Sequence, residues 1–131
     1  MKFHHLGLLV YDLEQGILSL DTLIPEMFWG KIIEDIGIGV RVLFGEDGGG
    51  MKYELVAPID NRSPILNFLE TKESMLHHIA YTVDDFDIKY SELRSLKFMP
   101  LGQVMPAVAF DGKRVAFFLT PIRTIIEIIE C

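Results

Sequence analysis

Apolar residues along this chain come in short runs with two kinds of spacing. Residues 3–10, FHHLGLLV, form a run too short for a helix and bounded by Tyr11-Asp12, so they read as a strand. Asp12 is a capping residue, and Leu13, Ile17, Leu20 and Ile24 recur behind it at helical spacing, predicting a helix over 12–23 that Pro25 follows. Gly16 in its middle costs about 1 kcal/mol relative to alanine. Strands are expected over 28–36 and 40–45, with a turn at 37–39 between them. The EDGGG turn at 46–50 then leads to a fourth strand over 51–57. Ser63-Pro64 sets a cap and a first-turn proline for a short linking helix carrying Ile65, Leu66, Phe68 and Leu69. The second half follows the same order. A strand over 76–83 precedes a helix capped by Asp84 or Asp85, with Phe86, Tyr90, Leu93 and Leu96 on one face. Strands over 98–104, 113–119 and 124–130 close it, with Asp111-Gly112 as a hairpin turn signal.

The two halves are copies of one unit. Setting His77 on His4 and His78 on His5 gives an offset of 73 residues, which pairs Val10 with Val83 and Asp12 with Asp85. The same offset brings Gly39, Arg41, Val42 and Phe44 onto Gly112, Arg114, Val115 and Phe117, and Glu54 onto Glu127. Two copies of a β-α-β-β-β unit form a duplicated module; a solenoid needs three or more short repeats. The expected organisation is a single α+β domain over 1–131, with module 1 at about 3–57, a linker at about 58–72 and module 2 at about 75–131.

Strand alternation decides where the repeated polar residues point. His5, Gly7 and Leu9 share one face of the first strand, and Leu6, Leu8 and Val10 share the other. His78, Ala80 and Thr82 oppose Ile79, Tyr81 and Val83. The bulkier sets should pack under the helices, leaving the histidines on an open concave face. Val42, Phe44, Val115 and Phe117 fall on that face by parity and would line a largely apolar cavity. Glu127, amid TIIEIIE, would be costly to bury unpaired. Alone it reads as an edge residue or a partner of Arg123 or Arg114, and His4 and His77 read as surface or half-buried histidines. Taken together, His5, Glu54, His78 and Glu127 make two symmetric half-sites. Neutral imidazole with carboxylate suits one divalent ion such as Zn, Ni, Co, Mn or Fe, and four ligands leave catalytic positions open.

Composition narrows the partners. A net charge of −7 over 131 residues argues against nucleic acid, which is bound by clustered Lys and Arg. Lys52, Arg41, Lys113 and Arg114 are scattered cations that a phosphate or carboxylate could meet, although such residues are usually solvated surface. Cys131 stands alone, which excludes an intramolecular disulfide and a cysteine-based zinc site. No apolar run is long enough for a membrane span and no signal peptide is visible, so a cytoplasmic protein acting on a small molecule is expected.

These motifs resemble the vicinal oxygen chelate superfamily, most of all methylmalonyl-CoA epimerases and then glyoxalase I (lactoylglutathione lyase). HHLGLLV is similar to the epimerase pattern D-H-[IV]-G-[IV]-A-V and places His5; YELVAP resembles [IV]-[EQ]-L-x-x-P and places Glu54. MLHHIAYTVDD is similar to G-L-H-H-[IM]-A-[FW]-x-V-D-D and places His78, and TIIEIIE resembles [LV]-I-E-L and places Glu127. The resemblance covers nearly the whole chain. It implies paired modules in a curved mixed sheet (the glyoxalase/bleomycin resistance/dioxygenase fold), a homodimer, and one divalent metal held by these four residues. It also implies proton transfer next to a carbonyl through a metal-stabilised enediolate, with Glu127 as the principal base and Glu54 opposite. The chain departs from the pattern twice. The first helix lacks F-Y-x-x-x-L-G, and Val42 stands where epimerases carry a second catalytic glutamate, so weak or absent methylmalonyl-CoA epimerase activity is expected. A non-catalytic, small-molecule-binding protein of the resistance type is the alternative, and a ring-cleaving dioxygenase ranks third.

Overall fold

The alternating run at the start of the chain forms β1 (Lys2–Leu9), and the helical stripe behind it forms α1 (Leu13–Leu23). Four strands follow: β2 (Phe28–Trp29), β3 (Ile33–Asp35), β4 (Val40–Glu46) and β5 (Lys52–Pro58). The short helix α2 (Ile65–Thr71) leads to β6 (Leu76–Val83) and α3 (Phe86–Ser95). Then come β7 (Met99–Pro106), a single 3-10 turn at Val108–Phe110, β8 (Arg114–Leu119) and β9 (Ile125–Glu130). The computed structural model describes residues 1–71 and 76–131. The expected linker end at 72 and module start at 75 lie outside the described residues.

The architecture is α+β and built of two β-α-β-β-β modules, as the periodicity predicts. The chain groups into two compact units, Leu6–His77 and the pair Met1–His5 with His78–Cys131. The linking helix α2 therefore falls within the first unit, and the opening residues of β1 fall within the second. In the first unit the strand order is β2-β4-β5-β1, with β3 also on β4. There β1 runs parallel to β5, and β4 antiparallel to it. In the second unit the order is β6-β9-β8-β7, again with one parallel pair, β6 with β9.

One face of each sheet carries its helix. In the first unit Leu13 of α1 packs on Leu43, Leu55 and Ala57, with Leu8, Val10, Ile17, Leu20 and Trp29 around them. In the second, Phe86 and Leu93 of α3 pack on Val83, Ala116, Phe118, Ile126 and Ile128. Full burial of a side chain such as Phe118 contributes roughly 1.5–3 kcal/mol relative to leaving it exposed. Both long helices start on the predicted caps. Asp12 Oδ1 accepts from the Glu14 N–H at 2.7 Å, and Asp85, rather than Asp84, caps α3 by accepting from the Ile88 N–H at 3.0 Å. At the far end of α3, Lys97 turns left-handed (φ 69°) and the Phe98 N–H reaches back to the Leu93 carbonyl at 3.0 Å. That closes the helix at Ser95.

The strand expected over 28–36 is instead the pair β2 and β3. Trp29 pairs with Gly45 and Ile33 with Val42, so four steps on one side face three on β4. The extra residue is a bulge between the two pairings. Among the described residues, no helix is long and apolar enough to cross a membrane.

Candidate metal centre

Side-chain alternation on β6 sends Tyr81 and Val83 into the core beneath α3. His78, Ala80 and Thr82 are thereby turned to the other face. Ala80 is in register with Glu127 on β9, and Phe117 of β8 is its antiparallel partner on the other side. Glu127 thus shares the face of Ala80 and His78. His5, at the end of the β1 residues that belong to this unit, completes the group.

Three side chains converge there. His5 Nε2 lies 3.1 Å from His78 Nε2, while Glu127 Oε2 lies 3.3 Å from His78 Nε2 and 3.5 Å from His5 Nε2. All three residues are buried, His5 completely. Among the described residues the ion-pair partners of Glu127 are these two histidines, and its Oε2 makes no hydrogen bond. Arg114, one of the alternative partners expected from sequence, is engaged elsewhere. It bonds Glu130 (2.8 Å) and Asp87 (2.9 Å) and lies 4.6 Å from the centre of the Phe86 ring. The hydrogen bonds from Arg114 hold the Glu130 carboxyl down to about 2 and raise the guanidinium of Arg114 in turn.

A buried carboxylate oxygen without a donor is costly and calls for a cation. The spacing of the three atoms fits one. With metal–ligand bonds of about 2.1 Å, neighbouring donors sit about 3.0 Å apart at right angles and about 3.4 Å apart at the tetrahedral angle. The observed 3.1, 3.3 and 3.5 Å span that range to within about a tenth of an ångström. Oxygen and imidazole nitrogen together suit a first-row divalent ion.

Aromatic neighbours fix the rings. Phe110, from the turn after β7, lies stacked against His5 (centroids 6.1 Å apart, planes at 20°), and Phe117 meets His78 edge-on at 5.2 Å. His4 Nδ1 lies 2.8 Å from His5 Nδ1. The repeated doublet HH drew attention to His4 without assigning it a role, and nothing in the sequence pattern pointed to Phe110. His77, half-buried as read from sequence, packs edge-on against Phe68 with centroids 4.8 Å apart.

Glu54 lies in the first unit, buried on β5, where it pairs with Phe44 of β4 and stands in register with Gly7 of β1. Gly7 is two residues beyond His5 on the same strand. Val42 and Phe44 share the face of Glu54, because Leu43 and Leu55 between them pack beneath α1. In the second unit Val115 and Phe117 share the face of Glu127. Val42 and Val115 are fully buried, and Phe44 and Phe117 half-buried. Lys52 is exposed and Arg41 pairs with Glu34 at 3.6 Å.

Comparison with known proteins agrees with this fold. Residues 4–117 match the family model of the glyoxalase/bleomycin resistance protein/dioxygenase superfamily. The chain is 31% identical over 118 residues to the ethylmalonyl-CoA/methylmalonyl-CoA epimerase of Cereibacter sphaeroides, covering 88% of this chain and 86% of that protein. It is 28% identical over 120 residues to the human mitochondrial methylmalonyl-CoA epimerase, covering 88% of this chain and 65% of the human one. Among solved structures, the methylmalonyl-CoA epimerase of Mycobacterium tuberculosis superposes with a TM-score of 0.80. That match covers 98% of this chain and 87% of the other at 24% identity, a likeness of fold.

Proposed function

This chain belongs to the glyoxalase/bleomycin resistance protein/dioxygenase superfamily, and on that premise we propose that it is a metal-dependent enzyme moving a proton next to a carbonyl. The reaction type is that of the epimerases and lyases of the family, and the ligands are His5, Glu54, His78 and Glu127. The observation that carries this reading is the convergence of His5, His78 and Glu127 around a buried carboxylate oxygen with no hydrogen bond. Glu54 is assigned as the fourth ligand because it is the repeat partner of Glu127, is buried, and stands beside β1 just past His5.

A bound divalent ion supplies a Lewis acid that draws electron density from a substrate carbonyl. The protein's residues do the rest. Glu127, through the carboxylate oxygen left free when Oε2 faces the ion, is the base that takes the proton from the carbon next to that carbonyl and returns it. The phenyl edge of Phe117 against His78 keeps the imidazole aimed and restricts water beside it. Val42 and Phe44 add an apolar surface on the face of Glu54. Val42 offers no proton, so return from the opposite face is slow and the proton goes back mainly where it came from.

The substrate class is an acyl thioester or 2-hydroxy carbonyl compound with an acidic C–H. The test is solvent deuterium exchange into methylmalonyl-CoA, the glutathione hemithioacetal of methylglyoxal, and simple 2-hydroxy ketones. The expected outcome is metal-dependent exchange that outruns inversion and falls by about a hundredfold or more in Glu127→Gln. Brisk epimerisation of methylmalonyl-CoA would show that Val42 does not remove the second acid's function. No exchange with any compound, alongside tight binding of one, would establish a ligand-binding protein instead.

A further inference from the structure

We propose that His4 is a positioning residue that holds His5 in the tautomer protonated on Nδ1, the one able to ligate a metal through Nε2, an inference that rests on the metal reading above. His5 faces His78 and Glu127 through Nε2. To ligate from that atom, the neutral ring must carry its proton on Nδ1. Free imidazole side chains have no strong obligation to do so, and the choice is set by what Nδ1 meets.

Here Nδ1 of His5 meets Nδ1 of His4 at 2.8 Å. Two ring nitrogens at that distance share one proton, one donating and the other accepting. With His5 as donor, His4 Nδ1 accepts and His4 keeps its own proton on Nε2. His5 is 0% exposed, so bulk water cannot stand in as the acceptor. The two rings cross at 81° with centroids 5.0 Å apart. One further ring braces both: Phe110 lies stacked against His5 and meets His4 edge-on at 5.6 Å. His4 is therefore placed for the role that a carboxylate or backbone carbonyl plays behind many metal-bound histidines.

The test separates the acceptor from the packing. His4→Phe keeps a ring against Phe110 and removes the acceptor; His4→Asp keeps an acceptor and removes the ring. Zinc affinity is measured by competition with a chromophoric chelator for the parent, both variants and His5→Ala. Long-range proton–nitrogen spectra of the zinc-loaded protein report which nitrogen of His5 carries the proton. The parent is expected to show a protected Nδ1 proton on His5. His4→Phe is expected to bind zinc about 10–100-fold more weakly and to lose that protection, whereas His4→Asp stays within about threefold of the parent. Should His4→Phe fail to fold, His4→Ala replaces it with the same expectations. Zinc binding as tight in the acceptor-free variant as in the parent overturns the role of His4 and leaves the metal centre standing. Equal weakening in the acceptor-free and His4→Asp variants also overturns it, since packing alone would then be responsible. A parent that binds zinc no more tightly than His5→Ala overturns the metal centre, and this inference with it.

Discussion

Gly16 sits in the middle of α1, where an alanine would ordinarily strengthen the helix by about 1 kcal/mol. The packing reverses that sign. A Cβ there would meet Leu55 Cδ1 and Val10 Cγ1 at 3.1 Å, and Val10 Cγ2 at 3.3 Å. Leu55 is 1% exposed, and any shift of Leu55 or Val10 would have to go into the cavity of about 270 Å³ that both line beside Gly16, away from the contacts that now hold them. Overpacking of this kind costs about 1–3 kcal/mol. Gly16→Ala is therefore expected to lose about 1 kcal/mol net, read as a lower denaturant midpoint at unchanged slope. A midpoint equal to or above the parent's would show that Leu55 and Val10 move aside. At this scale the sequence was informative where strand alternation and the repeat act together, which is why Glu127 could be grouped with His78 although both faces of its own strand are apolar. His4 and Phe110 were not legible in the same way. Alternation assigns adjacent residues to opposite faces and says nothing of a ring that swings back to meet its neighbour's Nδ1. The seat of Phe110 depends on a turn that only the folded unit positions.

The turn after β7 was legible as a turn. Asp111 and Gly112 both take positive φ (56° and 80°), and the Lys113 N–H donates to the Phe110 carbonyl at 3.0 Å. This tight turn is set within a longer connection, since the last strand pair is Pro106 with Arg114 and a 3-10 turn at Val108–Phe110 lies between. The bulge between β2 and β3 was not, because one extra residue between two pairings leaves no mark in the mixed pattern of 28–36. Between α3, β8 and β9 the elements are tied by charge: Arg114 of β8 binds Glu130 of β9 and Asp87 of α3. Glu130 titrates at about 2 in the fold against an ordinary 4.5, chiefly because Arg114 hydrogen-bonds its ionised form. A depressed folded value means that the contribution is present above the unfolded value and is lost as pH falls through the folded one. The melting temperature of the parent should exceed that of Glu130→Gln at neutral pH. The gap should then close between about pH 4.5 and pH 2. All three groups are at least a third exposed, so the gap is modest and should shrink in high salt. A difference that persists unchanged below pH 2 would mean that Glu130 acts through packing instead.

Over the whole chain the 73-residue offset exposed both modules, because a duplication keeps its spacing even where side chains diverge. It did not reveal that β1 divides between units, with Met1–His5 grouped alongside His78–Cys131, because strand pairing across a repeat leaves no periodic signal. That grouping has a thermodynamic consequence. His5 comes from one end of the sequence and His78 and Glu127 from the other part of the same unit, so the three donors are near one another only in the folded chain. The unfolded chain offers no such cluster, and an ion that binds the three together therefore binds the native state preferentially. At a hundred times its dissociation constant, such an ion stabilises by about 2.7 kcal/mol. In a domain of this size that raises the melting temperature by on the order of ten degrees. Metal-free protein titrated with zinc should show this rise, and a chelator should reverse it. The proteins with His5→Ala and with Glu127→Gln should each lose most of it, since each removes one corner of the triangle. A rise of equal size in the His5→Ala protein would mean that the ion binds elsewhere on a chain carrying net charge −7. Flat melting curves for the parent across zinc, nickel, cobalt and manganese would leave the buried Oε2 of Glu127 without the cation its surroundings call for, and the metal-dependent reading of the site would fall.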